Sequence, residues 1–288
     1  MYINKKINFD LFLIGLILFV FFLIGINIYK DYGVSIDEHY HYTNGLHYYS
    51  FLKGLFSENS KYINITELRD SFQNFHFKNP ALFDLIFAFL KDVFNMQDLQ
   101  EIYFFRHLLI YAIYLVGSFY FVLILRERYE NKIIVLIGLL FLLITPRIFA
   151  NSFFNNKDLI FLSVCCIFFY YSIKFYTKPS LKTAVIFSLF SAIAFDVRIM
   201  AIVFIFTFFI LKFLHYLDNE NKITANIKYI PISIVFFTLF IYIFWPYLWI
   251  DPIRNLIDFF AVIKSKTPGM QNLYFGEYIY SKNAPWHY

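Results

Sequence analysis

The sequence predicts an all-α integral membrane protein of about seven transmembrane helices, with interfacial juxtamembrane helices gathered on the non-cytoplasmic face. Three observations carry that prediction. Of 288 residues, 60% are hydrophobic and 24% aromatic, more apolar surface than a water-soluble domain of this length can bury. The apolar residues fall in repeated runs close to the length that crosses a bilayer. The basic residues collect in alternate loops between those runs, as cytoplasmic loops do.

The candidate spans are residues 9–29, 103–125, 133–150, 159–176, 183–195, 199–217 and 229–248. Lys5 and Lys6 precede the first, but no small-residue cleavage pattern follows, so an uncleaved span is expected. The segment 183–217 is too long for one ordinary span, and the charged pair Asp196 and Arg198 marks the break. A short apolar piece, 81–94, carries Asp84, Lys91 and Asp92, and whether it crosses decides the direction of everything after it. If it stays on the surface, the cytoplasmic pieces hold Lys5, Lys6, Arg126, Arg128, Lys132, Lys174, Lys178, Lys182, Lys212, Lys222 and Lys228. That is 11 of the 25 basic residues, against 5 of the 20 acids. This option obeys the charge rule and places the N-terminus in the cytoplasm.

Segments 30–102, 147–158, 196–198 and 249–288 then share the outer face of one membrane domain, 1–288. In the last of these, Asp251-Pro252 reads as an N-cap and first-turn proline. Ile253, Leu256, Ile257, Phe260 and Ile263 follow at helical spacing, the pattern of a helix lying in the headgroup plane.

The net charge of +5 is no nucleic-acid footprint, because the cations stand singly between apolar runs. Cys165 and Cys166 are adjacent within a run and read as packing or lipid-facing residues. His39 and His41, two residues apart with His47 further on, splay on a helix, so no metal site is expected.

Charged groups beside a span are costly and often functional. Four corners collect them on the outer face. Ser35-Ile-Asp37-Glu38 follows the first span and reads equally as a capping box, which explains Glu38 better than Asp37. Arg147 to Asp158 follows Pro146 and carries Arg147, Asn155, Lys157 and Asp158, a cation-rich rim suited to a phosphate. Asp196 and Arg198 form the third corner, and Arg106 opens the second span similarly. Trp245-Pro-Tyr-Leu-Trp249 and the terminal Pro285-Trp-His287-Tyr288 form the fourth.

Taken together these motifs resemble the GT-C membrane glycosyltransferases, in the bacterial family-39 or protein-mannosyltransferase-like branch. The resemblance rests on Asp37-Glu38 after the first span, Asn79-Pro-Ala-Leu82, Arg106 and Pro146-Arg147 with Asn155-Asn-Lys157-Asp158. Asp196-Val-Arg198, Trp245-Pro-Tyr247 and Pro285-Trp-His-Tyr288 complete it. The usual His-Pro-Pro-Leu is Asn-Pro-Ala-Leu here. Relatives carry further spans and often a soluble C-terminal part, so the sequence is expected to correspond to the N-terminal part of such an enzyme.

The resemblance implies transfer of a sugar from a polyprenyl-phosphate donor to a lipid, glycan or protein hydroxyl at the non-cytoplasmic face, with inversion. Asp37 would be the base and Glu38 its support or an acceptor contact. Arg147, Lys157 and Arg198 would hold the donor phosphate, supported by Asp158, Asp196, Arg106 and His287. No metal or other cofactor is required, and the partners are the lipid-linked donor, the bilayer and the acceptor, with no nucleic acid. The location would be a bacterial cytoplasmic membrane. Two competing readings are a transporter or flippase, whose charges should sit mid-span between broken helices, and a non-catalytic remnant.

Overall fold

A computed structural model describes residues 3–56, 79–218, 228–265 and 271–280, with Asn283 and Pro285. Its described residues form eleven α-helices, one 3-10 turn and one β-hairpin. The seven apolar runs all fold as helices. α1 is Ile3–Ile28, α4 Leu99–Arg128, α5 Lys132–Ile144 and α7 Asp158–Thr177. α8 is Leu181–Val197, α9 Ala201–Asp218 and α10 Tyr229–Phe244. Between them lie α2 (Ile36–Phe56), α3 (Leu82–Val93), α6 (Pro146–Phe154) and α11 (Pro252–Ser265).

Among the described residues, α1, α4 and α7 are each long and apolar enough to cross a membrane. α5 with α6 makes a fourth if the bent pair is one span, while the apolar stretches of α9 and α10 are shorter. The run 133–150, expected as a single span, is bent by 58° between Ile144 and Pro146. Proline lacks the N–H that would continue α5 but suits the first turn of a new helix, so α6 starts there. The break between α8 and α9 falls at Arg198–Met200, two residues beyond Asp196, which stays helical.

Caps written in the sequence set several ends. Asp98 accepts the Glu101 N–H at the start of α4, and Arg126 and Arg128 sit in its last turn, where cations suit the helix dipole. Ser180 and Thr183 form a capping box at the start of α8. Small residues let helices approach closely: Gly117 of α4 lies against the Ser163 backbone of α7. Ser188 of α8 donates to the Ser233 carbonyl of α10 at 2.7 Å. Cys165 and Cys166 are buried on α7, where they border an apolar groove shared with α4 and α9.

α2 and α3 do not run through the bundle. They lie at the end where α1 stops and α4 begins, since His107 of α4 contacts both the Tyr29 carbonyl beyond α1 and Glu38 of α2. α3 buries Asp84, Phe87 and Ala88, three positions on one face at helical spacing, and exposes Ile86, Phe89 and Val93. It fits α2 through Gly45, where an added Cβ would fall 2.2 Å from the Asp84 carbonyl oxygen. The obstruction is backbone on both sides, so Gly45→Ala is expected to cost about 1–3 kcal/mol, measured as a lowered melting temperature in detergent.

At the far end of the chain, Asp251 Oδ1 caps α11 by accepting the Arg254 N–H at 3.3 Å. α11 exposes Ile253, Leu256, Ile257 and Phe260, while Phe259 packs edge-on against the buried Trp245. Beyond it an unforeseen hairpin pairs β1 (Gln271–Tyr274) with β2 (Glu277–Tyr280). Its two-residue turn, Phe275-Gly276, has positive φ at both positions, the geometry that matches strand twist.

Candidate active site

One end of the bundle gathers the N-terminal turns of α2, α3, α4 and α7 and the C-terminus of α8. Its charged residues form two buried pairs and one open corner.

The first pair is Glu38 with His107, both 0% exposed, at 2.9 Å. The other Glu38 oxygen accepts the Ser35 N–H at 2.7 Å, which is one half of the expected capping box. His107 Nδ1 lies 3.4 Å from the Tyr29 carbonyl. Glu38 therefore fixes the first turn of α2 against α4, and both its oxygens are buried and bonded.

The second pair centres on Asp84, which is 6% exposed. His41 Nδ1 lies 2.8 Å from its Oδ2, and Asn44 donates to the same oxygen at 3.4 Å. Arg106 Nη2, 3.8 Å from Oδ1, supplies the balancing charge, with its guanidinium over the Phe87 ring. Next to this pair, buried Asp196 accepts the Leu82 N–H at 2.9 Å and so holds the start of α3 against α8. Tyr40 and Tyr48 add bonds to Asn79, just upstream. Burial pushes the Tyr40 hydroxyl up to about 12, so it stays neutral.

The open corner contains Asp37, Lys157, Asp158 and Arg198. Asp37 is exposed in the first turn of α2. Its charge acts on both Lys157 and Arg198. Arg198 forms an ion pair with Asp158. Asn155 Oδ1 accepts the Asp158 N–H at 2.8 Å and the Lys157 N–H at 3.3 Å, and this turn sets the direction of Lys157. Burial, then the neighbouring Arg198, holds the Lys157 ammonium below the ordinary lysine range, against the pull of Asp84, Asp37 and Asp196. The charged amine is therefore lost at lower pH than a free lysine would lose it. Affinity for an anion at this corner should weaken as pH rises through that lowered value. Lys157→Arg should carry the affinity unchanged to higher pH, as measured by titrating phosphate-ligand binding.

Of the residues singled out from sequence, the fold brings together Asp37, Lys157, Asp158, Asp196, Arg198 and, through Asp84, Arg106. Glu38 is near but sealed. Arg147 is exposed at the opposite end of α6 from Asn155, and no hydrogen bond or ion pair among the described residues ties it to the open corner. Seven helical residues, 148–154, lie between Arg147 and the Asn155 turn. His287 lies outside the described residues. Asp84, His41, Asn44 and His107 were not identified as site residues. The available signal was a lone acid on the apolar face of α3 and a histidine beside Arg106 within an apolar run.

A family model for dolichyl-phosphate-mannose-protein mannosyltransferase matches residues 78–245. The chain belongs to that family. The match covers more than half of the chain and includes Asp84, Arg106, His107, Asn155 to Asp158 and Asp196 to Arg198, though not α2. No curated protein and no solved structure matches. Membership makes this a multi-pass membrane protein of glycosyltransferase class, using polyprenyl-phosphate sugars in general.

Proposed function

We propose that the chain transfers a sugar from a polyprenyl-phosphate donor to a lipid, glycan or protein hydroxyl at the non-cytoplasmic face of a bacterial cytoplasmic membrane. The observation that carries this reading is the open corner, where the charge of one exposed carboxylate, Asp37, acts on two cations, Lys157 and Arg198, at the bundle end. The distribution of Lys and Arg along the chain supports that end being non-cytoplasmic.

The chemistry follows from those charges. The acceptor oxygen forms a bond to the anomeric carbon as the bond from that carbon to the phosphate oxygen breaks. The acceptor's proton passes to Asp37, and the electron pair of the broken bond stays on the phosphate. No general acid is needed, because the departing phosphate is already a good leaving group. Lys157 and Arg198 strengthen their hold as charge grows on it, which is where binding energy lowers the barrier. Asp158 keeps Arg198 in place, and Glu38 with His107 keeps Asp37 aimed. Single displacement gives inversion at the anomeric carbon. The exposed apolar faces of α3 and α11 would flank the lipid tail's entry from the bilayer. Arg147 would meet the donor only farther out along α6.

The test is transfer of label from a mixture of radiolabelled polyprenyl-phosphate sugars by membranes containing the chain. Label should reach an acceptor fraction. Membranes in which it stays on the donor would argue against the reading.

A further inference from the structure

Behind the open corner lies a cavity of about 30 Å³, bordered by α2, the Asn79 to Asp84 segment, Asn156, Lys157 and Asp196. That is room for about two water-sized groups. Three of its lining side chains are more than nine-tenths buried, each with a polar atom that has no partner: Asn44 Oδ1, Asn156 Nδ2 and Asp196 Oδ1. The orientation of Asn44 is set by its own bond, since its Nδ2 donates to Asp84 and leaves Oδ1 facing away from that carboxylate. A buried polar group without a partner is costly, and three around one small space call for a common occupant. The set contains an amide oxygen, an amide N–H and a carboxyl oxygen.

A hydroxyl complements it, because a hydroxyl donates to a carboxylate or amide oxygen and accepts from an amide N–H. A phosphate fits less well, because its oxygens only accept and would meet the Asn44 oxygen. Lys157 lines this cavity and also feels the charge of Asp37, so the cavity adjoins the reacting corner.

We propose that this cavity receives one hydroxyl-bearing arm of the transferred sugar, a ring hydroxyl or a hydroxymethyl, and that Asn156, Asp196 and Asn44 thereby select the sugar. This rests on the glycosyl-transfer reading above, and it adds the substrate class: a neutral sugar that bears a free hydroxyl at one defined position.

The test uses membranes containing the full chain and a panel of polyprenyl-phosphate hexoses. For the hexose transferred fastest, its 2-, 3-, 4- and 6-deoxy analogues are compared in the wild type, Asn156→Ala and Asn44→Ala. One deoxy position should lower kcat/KM in the wild type by about ten- to a hundredfold, as a hydroxyl-binding site rejects its absence. The same deoxy donor should suffer little further loss in either variant, while the other three keep their wild-type penalties. Retained transfer of that deoxy donor at the wild-type rate also shows that the variant has folded. If every deoxy penalty is the same in variants and wild type, the cavity holds water only and the proposal is wrong. If the wild type transfers no sugar from any donor, the functional reading fails and takes this one with it.

Discussion

Replacing Asp37 with Asn lowers sugar transfer by roughly 10²- to 10⁴-fold, the range expected for loss of a general base, and leaves thermal stability unchanged. Both halves follow from where Asp37 sits. Its side chain is exposed in the first turn of α2 and forms no hydrogen bond or ion pair among the described residues, whereas neighbouring Glu38 is fully buried and bound to Ser35 and His107. An amide of the same shape keeps the helix start but cannot take the acceptor's proton. Donor binding should change little, since Lys157 and Arg198 remain. The loss is expected in kcat, with KM for the donor nearly constant, in labelled transfer by purified chain in detergent or nanodiscs. A Glu38→Gln control should instead lower the melting temperature, because it weakens a buried pair whose partner, His107, is 0% exposed.

The largest effect on stability is expected at Asp84. Removing its carboxylate by Asp84→Ala leaves the Arg106 guanidinium, itself 2% exposed, without its balancing charge. It also strips His41 and Asn44 of their common acceptor. Breaking one side of a buried ion pair costs about 3–5 kcal/mol, much more than the intact pair contributes. The exposed contact of Lys53 with Asp92, also between α2 and α3, should matter little by comparison. Adding Arg106→Met to Asp84→Ala should recover part of the loss, since the buried charge is then gone. Melting curves of the single and double variants check this. A double variant no more stable than the single would show that Arg106 does not depend on Asp84.

Much of the architecture is written in the sequence because it follows from local physical chemistry. Apolar runs of bilayer length become helices wherever they stand, and Asp98, Ser180, Pro146 and Asp251 mark helix starts through their own backbones. Asp37 was legible for a similar reason: a carboxylate a few residues beyond a span is conspicuous. Asp84 was not, since the partners that give it meaning, His41 and Arg106, are 43 and 22 positions away in sequence. The apolar pattern of α3 concealed it as a surface-helix charge. His107 escaped for the same reason, as Glu38 is 69 residues upstream. Arg147 and Lys157 stand beyond opposite ends of the stretch 148–154, so their closeness in sequence does not by itself place them side by side. The hairpin at Gln271 to Tyr280 depends on the positive φ of Phe275, a conformation that phenylalanine does not advertise.

The most direct single measurement is the anomeric configuration of the product made by membranes containing the chain from one defined polyprenyl-phosphate sugar. Single displacement with Asp37 as base gives complete inversion relative to the donor. A product that retains the donor's configuration would require a covalent sugar–enzyme intermediate or a second displacement. Either would remove Asp37 from its place as a simple base.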